Sequence, residues 1–371
     1  MPPPLPAGHD HIVQIAVTWN DLTMIWIRGS VLFGGKDQGV LYCHVDGKWM
    51  PKVTFGDAPS YRYGAGAVVY NDTMYLMCGT PSGLDEDYSN DIYALDLHSW
   101  TWTKLNPNGS PPFRCAYLST WIYEGKVYGF GGETADDPEE CTNQFFSYNI
   151  ASNSWEWPSV SGKIPSPRSF HTTFMSGDTA ILFGGAQNSV QEVMNDLYTL
   201  NMVDLTWTQV HPALIGKGAE GLPEPRAGHS LTKVSSKEAV LFGGFYPPKP
   251  PSKDCWLLNI EKVLQGDFEI PSSLWERCQQ HEQELPARIA SRMLHSAVLE
   301  PISKRLWILG GLIRPIPSTT SKIFSMSFSS GTSLRFLAME RAARYFDPDH
   351  PMLGSKELPR HLKIELESHF H

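Results

Sequence analysis

The chain has 371 residues, with 30 Lys and Arg against 39 Asp and Glu for a formal net charge of -9. That balance argues against a nucleic-acid backbone or an anionic membrane as the main partner, since both demand clustered cations, and no apolar run approaches the roughly 20 residues that cross a bilayer. Hydrophobic residues make up 41% of the chain beside 31 Gly and 29 Pro, a composition that favours many short strands over long helices.

The opening stretch, MPPPLPAGHD, lacks the charged and apolar regions of a signal peptide, so the expected location is cytoplasmic, nuclear or both. An irregular first repeat follows, with AGH at 7–9, the long segment HIVQIAVTWNDLTMIWIRG, VLFGG at 31–35 and Trp49. From there one frame recurs. A Pro-rich turn carries an Arg and often a His: PSYRYG around Arg62, PPFRCAY around Arg114, PSPRSFH at 165–171, PEPRAGH at 223–229 and ASRMLH at 290–295. An apolar run ending in a Gly pair comes next, as VYGFGG at 127–132, AILFGG at 180–185, AVLFGG at 239–244 and LWILGG at 306–311, with MYLMCGT at 74–80 as a degenerate copy. A strand such as NDIYALDL (90–97) or NDLYTLNM (195–202) and a Trp close the unit.

Each unit reads as four short antiparallel strands apolar on both faces, which no unit can bury alone. The Gly pair permits close backbone approach where units converge, and the Trp fills the wedge between neighbours. The fold class expected is all-β, a six-bladed β-propeller over residues 1–330, with a short helical tail over 331–371. Cys43, Cys78, Cys115, Cys141, Cys255 and Cys278 are scattered with no C-x-x-C pair and read as reduced thiols.

In the tail, SLRFLAMERAARYF (333–346) has helical periodicity, with Ser333 as N-cap and Leu334, Leu337, Ala338 and Ala342 on one apolar face. A second segment, LPRHLKIELESHF, repeats Leu358, Leu362 and Leu366 behind Pro359 at a helix start. Two such helices can cap the ring or present a docking face.

The recurring Gly pair, Arg turn, aromatic strand and Trp resemble the Kelch repeat over roughly residues 5 to 330. Ser333-Leu334 with Leu337, Ala338 and Ala342 resembles an elongin-C-binding box, with Ala338 where that box usually has Cys. Leu358-Pro359 with Leu362 resembles a cullin-2 box. Ring, first box, loop and Leu-Pro box in this order look like the Kelch-domain-containing substrate receptors of cullin-2 RING ubiquitin ligases. The resemblance implies a non-catalytic receptor subunit with elongin B/C and cullin-2 as partners, and a propeller pocket that grips a short, C-terminal segment of a target protein. The alternative is a Kelch scaffold for cytoskeletal or signalling proteins with the tail packed on the ring.

The three positions that serve glycine-ended tails in that family are Ala186, Val193 and Ala227 here, and none of these side chains binds a carboxylate. Replacement donors would be Arg314, after the last Gly pair, or Arg168, Arg226 and Arg292 in the turns, with Tyr117, Phe170 and Phe245 as apolar walls. The recurrence of the turn arginines also suits an interblade hydrogen-bonding device. His171, His229 and His295 hold equivalent positions in different blades, too far apart to share a metal. Glu192 and Asp196 resemble part of an iron-binding pattern of plant Kelch specifier proteins, but its His position is Leu200. No nucleophile elbow, P-loop or H-E-x-x-H occurs, so no catalytic activity, cofactor or metal is expected.

Overall fold

Two faces of each apolar run need cover, and the computed structural model provides it by standing sheets beside one another. It describes residues 12–18, 24–30, 40–45, 48–60, 62–80, 88–134, 141–187, 192–212, 221–247, 249–266, 271–278, 291–300, 304–313, 318–319, 323–328 and 336–341, with side chains at Leu41 and from Lys52 to Gly311.

Among these residues the strands form six larger antiparallel sheets, each from one continuous stretch of chain. The first comprises Ile12–Thr18, Met24–Ser30, Val40–Val45 and Lys48–Lys52. The second has Gly66–Tyr70, Thr73–Met77, Ile92–Asp96 and Thr101–Lys104, and the third Ser119–Tyr123, Lys126–Phe130, Phe145–Asn149 and Ser154–Glu156. The fourth has Thr172–Ser176, Thr179–Gln187, Glu192–Asn201 and Thr206–His211. The fifth is Ser230–Lys233, Glu238–Phe242, Cys255–Asn259 and Trp275–Arg277, and the sixth Ser296–Leu299, Arg305–Leu309, Ile323–Phe328 and Phe336–Arg341. The second and fourth gain a parallel edge strand from the preceding connection, Phe55–Gly56 and Ser161–Gly162. Each innermost strand lies beside that of the next sheet, and the sixth lies beside the first, so the inner strands complete a circuit.

Alternation along the second strands divides the core between neighbours. In Thr179–Gln187, Ala180 and Leu182 join a cluster with Tyr128 and Phe130 of the third sheet, whereas Ile181 and Phe183 join one with Leu241 and Trp275 of the fifth. The closing Trp behaves as its position implies. Trp207 is buried 5.2 Å from the Phe130 ring of the sheet before, and Trp275 lies 4.9 Å from Phe183. Such rings contribute the largest single packing terms, about 3–5 kcal/mol by truncation.

Two elements differ from the sequence reading. A short helix, Ile260–Gln265, interrupts the fifth unit; Asn259 Oδ1 accepts from the Lys262 N–H, Gly266 ends it with φ 76°, and Ile260 and Val263 are buried. In the tail, Phe336–Arg341 is a strand and not part of a helix, pairing antiparallel with Ile323–Phe328 from Phe324↔Arg341 to Met326↔Met339. FLAMER carries apolar residues at both periods, and the unpaired edge of Ile323–Phe328 selects the strand, since tertiary pairing overrides local propensity. The sixth sheet therefore extends past residue 330 and contains Leu337 and Ala338. Ser333, Leu334, Ala342, Leu358, Pro359 and Leu362 lie outside the described residues, as does the whole segment read as a second helix.

Candidate functional site

Antiparallel pairing of the first two strands, for example Ser119↔Phe130 and Thr172↔Phe183, brings the Arg turn that precedes one and the Gly pair that follows the other to the same end of each sheet. At that end the arginines are turned into the protein. Arg168 is 0% exposed; Nη1 and Nη2 fork onto Asp196 at 2.8 and 3.0 Å, Nη1 also reaches the Gly184 carbonyl at 3.0 Å, and Nε donates to the Ser166 carbonyl at 3.0 Å. Arg226 repeats this on Asp254, Gly243 and Glu224. Arg292 is 0% exposed with Nη1 on the Gly310 carbonyl at 2.7 Å, and burial pulls its pKa down to about 9. The substrate-binding role expected for Arg168, Arg226 and Arg292 is thus corrected: their guanidiniums brace the turn and Gly pair of their own sheet. Arg314 lies outside the described residues.

The same turns join successive sheets. The second Gly of each pair donates its N–H to the carbonyl at the arginine position of the next sheet: Gly79 to Cys115 (2.8 Å), Gly132 to Arg168 (2.9 Å), Gly185 to Arg226 (3.0 Å) and Gly244 to Arg292 (2.9 Å). The arginine position of the third sheet is therefore Cys115, and Arg114, one residue earlier, is exposed. The histidines act across the same seams, with Nε2 of His171, His229 and His295 at 2.8, 2.9 and 2.8 Å from the hydroxyls of Ser119, Thr172 and Ser230. A Cβ on Gly184 would lie 2.9 Å from the Arg226 carbonyl and 3.0 Å from His229 Cε1, which explains the glycine. In the degenerate copy Cys78 holds the first Gly position at φ 61°, and Leu118 of the next sheet stands where the other copies have His.

Two residues beyond each arginine position lies a left-handed residue: Gly64, Tyr117, Phe170, Gly228 and Leu294 have φ of 60°, 60°, 56°, 60° and 53°. Their backbones form a chain of hydrogen bonds around the mouth. The N–H groups of Tyr117, Phe170, Gly228 and Leu294 donate to the carbonyls of Gly64, Tyr117, Phe170 and Gly228 at 2.7, 3.1, 3.0 and 2.8 Å. A cavity of about 180 Å³ opens on this collar, lined by Tyr63, Ala65, Leu118, the collar residues and the three histidines.

Of the three residues expected as apolar walls, Tyr117 and Phe170 line this cavity and Phe245 does not. The Tyr117 and Phe170 rings lie 4.2 Å apart and Phe245 meets Phe170 edge-on at 6.4 Å. Non-glycine residues in this conformation cost about 1–2 kcal/mol each. The sequence reading missed Tyr63 and Leu294, although the recurrence of a residue two places after the arginine marks Leu294. Ala186 and Ala227 are buried and bridged to Ser169 and Phe245, so they offer the cavity no charge. Among the described residues no group of three or more His, Cys, Asp or Glu side chains is placed to hold a metal, and no helix is long and apolar enough to cross a membrane. Cys78, Cys115, Cys141, Cys255 and Cys278 are free thiols.

Sheets standing side by side with Gly pairs seated on the Arg turns of their neighbours define a β-propeller of Kelch repeats. The chain belongs to the KLHDC2/KLHL20/DRC7 Kelch-repeats domain family, whose profile matches residues 22–244. It is similar to Kelch domain-containing protein 2 of Bos taurus, with 31% identity over 66% of this chain and 65% of the relative. Kelch domain-containing protein 1 of Mus musculus is 27% identical over 63% and 61%, and acyl-CoA-binding domain-containing protein 4 of Arabidopsis thaliana 28% over 64% and 36%. The chain thus spans less than two thirds of the length of these relatives.

Proposed function

We propose that the chain is a six-bladed propeller that captures a short segment of another protein at its mouth, and that it serves as the substrate-recognition subunit of a cullin-2 RING ubiquitin ligase. The observation that carries the capture is the collar: strained aromatic residues from adjacent blades stack around a concave space large enough for a few side chains or a chain end. Backbone strain of this kind is retained where surrounding structure enforces it for function. The propeller contributes recognition, needs no cofactor or metal, and leaves transfer chemistry to its partners. Its place of work is the cytoplasm, the nucleus or both.

The ligase role rests on the likeness of Ser333-Leu334 and Leu358-Pro359-Leu362 to elongin and cullin-2 boxes. In a pull-down, wild type retains elongin B/C and cullin-2 and Leu334→Arg loses them; equal retention by the variant overturns the ligase role. One observation favours a second reading, a Kelch scaffold without ligase function: Phe336–Arg341 pairs as the outer strand of the sixth sheet, whereas the elongin box is read as helix. Under that reading wild type retains no elongin C.

A further inference from the structure

Glu133 follows the Gly pair of the third sheet and places a carboxylate at the rim of the mouth. Its Oε2 accepts from the Tyr88 hydroxyl at 3.3 Å and its Oε1 from Ser169 Oγ at 3.2 Å, so hydroxyls of the second and fourth sheets fix it from either side. Ser169 immediately precedes Phe170. Ala116, the ladder partner of Glu133, immediately precedes Tyr117. The carboxylate is therefore tied to the two turns that carry the collar rings, and after burial its charge is the next cause that pushes the Tyr117 phenol far above its usual range.

Two stretches close to Tyr88 and Glu133 in the sequence are acidic. The stretch between Thr80 and Tyr88 contains Asp85, Glu86 and Asp87, and that between Thr134 and Cys141 contains Asp136, Asp137, Glu139 and Glu140. Across the mouth, the chain after the Gly pair of the fifth sheet carries Lys249 and Lys253 instead, with Lys249 on Glu224 at 2.7 Å. Like charges repel and opposite charges select partners at such a rim.

Building on the reading that the mouth takes a peptide, we propose that Glu133, held by Tyr88 and Ser169 and tied to the turns of Tyr117 and Phe170, binds a basic side chain of that peptide, arginine before lysine. A planar guanidinium can present two N–H donors to the carboxylate while its face lies on an aromatic ring. This selects a basic segment, the opposite of the carboxylate terminus that the family resemblance implies.

The test is enrichment of a randomised heptapeptide library, blocked at both ends, on the immobilised full chain. Arginine-containing peptides are enriched on wild type, and the affinity falls about tenfold in Glu133→Gln, the scale of one charge-assisted hydrogen bond. Glu133→Lys shifts enrichment to acidic peptides, which a merely structural role for Glu133 would not produce. Enrichment of neutral or acidic peptides on wild type, or arginine preference unchanged in both variants, overturns the inference and leaves peptide capture standing. If no blocked peptide is enriched, a second library with free ends decides: enrichment there overturns only the basic side-chain inference, and none overturns peptide capture as well.

Discussion

His171, His229 and His295 show at residue scale how the mouth is held. Burial, then the charge of Arg226, lowers His229 to about 3, and the same two causes, with Arg168 and Arg292, hold His171 and His295 well below the usual range. Their folded values lie below the unfolded value of about 6.5, so the unfolded chain takes up protons first. The stability they provide is complete above about pH 6.5 and drains away as pH falls toward about 3. At Asp254, burial acts upward but the hydrogen bonds and charge of Arg226 outweigh it, leaving a value of about 2. Its contribution is full above about pH 3.9 and lost below that, in a separate, more acidic window. Denaturant midpoints measured between about pH 7.5 and pH 5 should therefore fall, and less steeply in His229→Asn, which removes one of the titrating rings. A midpoint independent of pH over that range would contradict the assignment of neutral, buried imidazoles.

The Gly pair is the element on which the interblade seam depends, and its two constraints can be separated. Gly184 has φ 63° and a crowded Cβ site, whereas Gly177 has φ 58° with nothing within 4 Å. Gly177→Ala should cost only the left-handed strain, about 1 kcal/mol, and Gly184→Ala that plus a clash with the next sheet, about 2–4 kcal/mol together. Urea unfolding of the two variants measures the difference, and equal costs would show the seam to be compliant. These pairs and the closing Trp were legible because the repeat aligns them. Other features were not, for physical reasons. Cys115 takes the arginine position while Arg114 sits one residue off, an offset only the seam hydrogen bonds reveal. The arginines looked available because a recurring cation and a recurring buried fork onto Asp196 or Asp254 read alike in sequence. Phe336–Arg341 looked helical because the edge it completes lies in another strand.

Over the whole molecule, each core cluster containing a closing Trp draws on two sheets, so no sheet is stable without its neighbours and the circuit of inner strands should unfold as one unit. That rigidity is what allows five turns to hold left-handed residues around one mouth. It also places the cost of the strain at the collar, where Tyr117 and Phe170 hold the left-handed conformation that Gly64 and Gly228 adopt without penalty. The most direct test uses this fact: the double variant Tyr117→Gly, Phe170→Gly suits the same backbone and removes only the rings. Titrating a peptide enriched on wild type, from whichever library supplies one, against both proteins should give a loss of affinity of at least about tenfold in the variant, at a thermal midpoint within a few degrees of wild type. Undiminished affinity in that variant would contradict capture at the mouth of the ring.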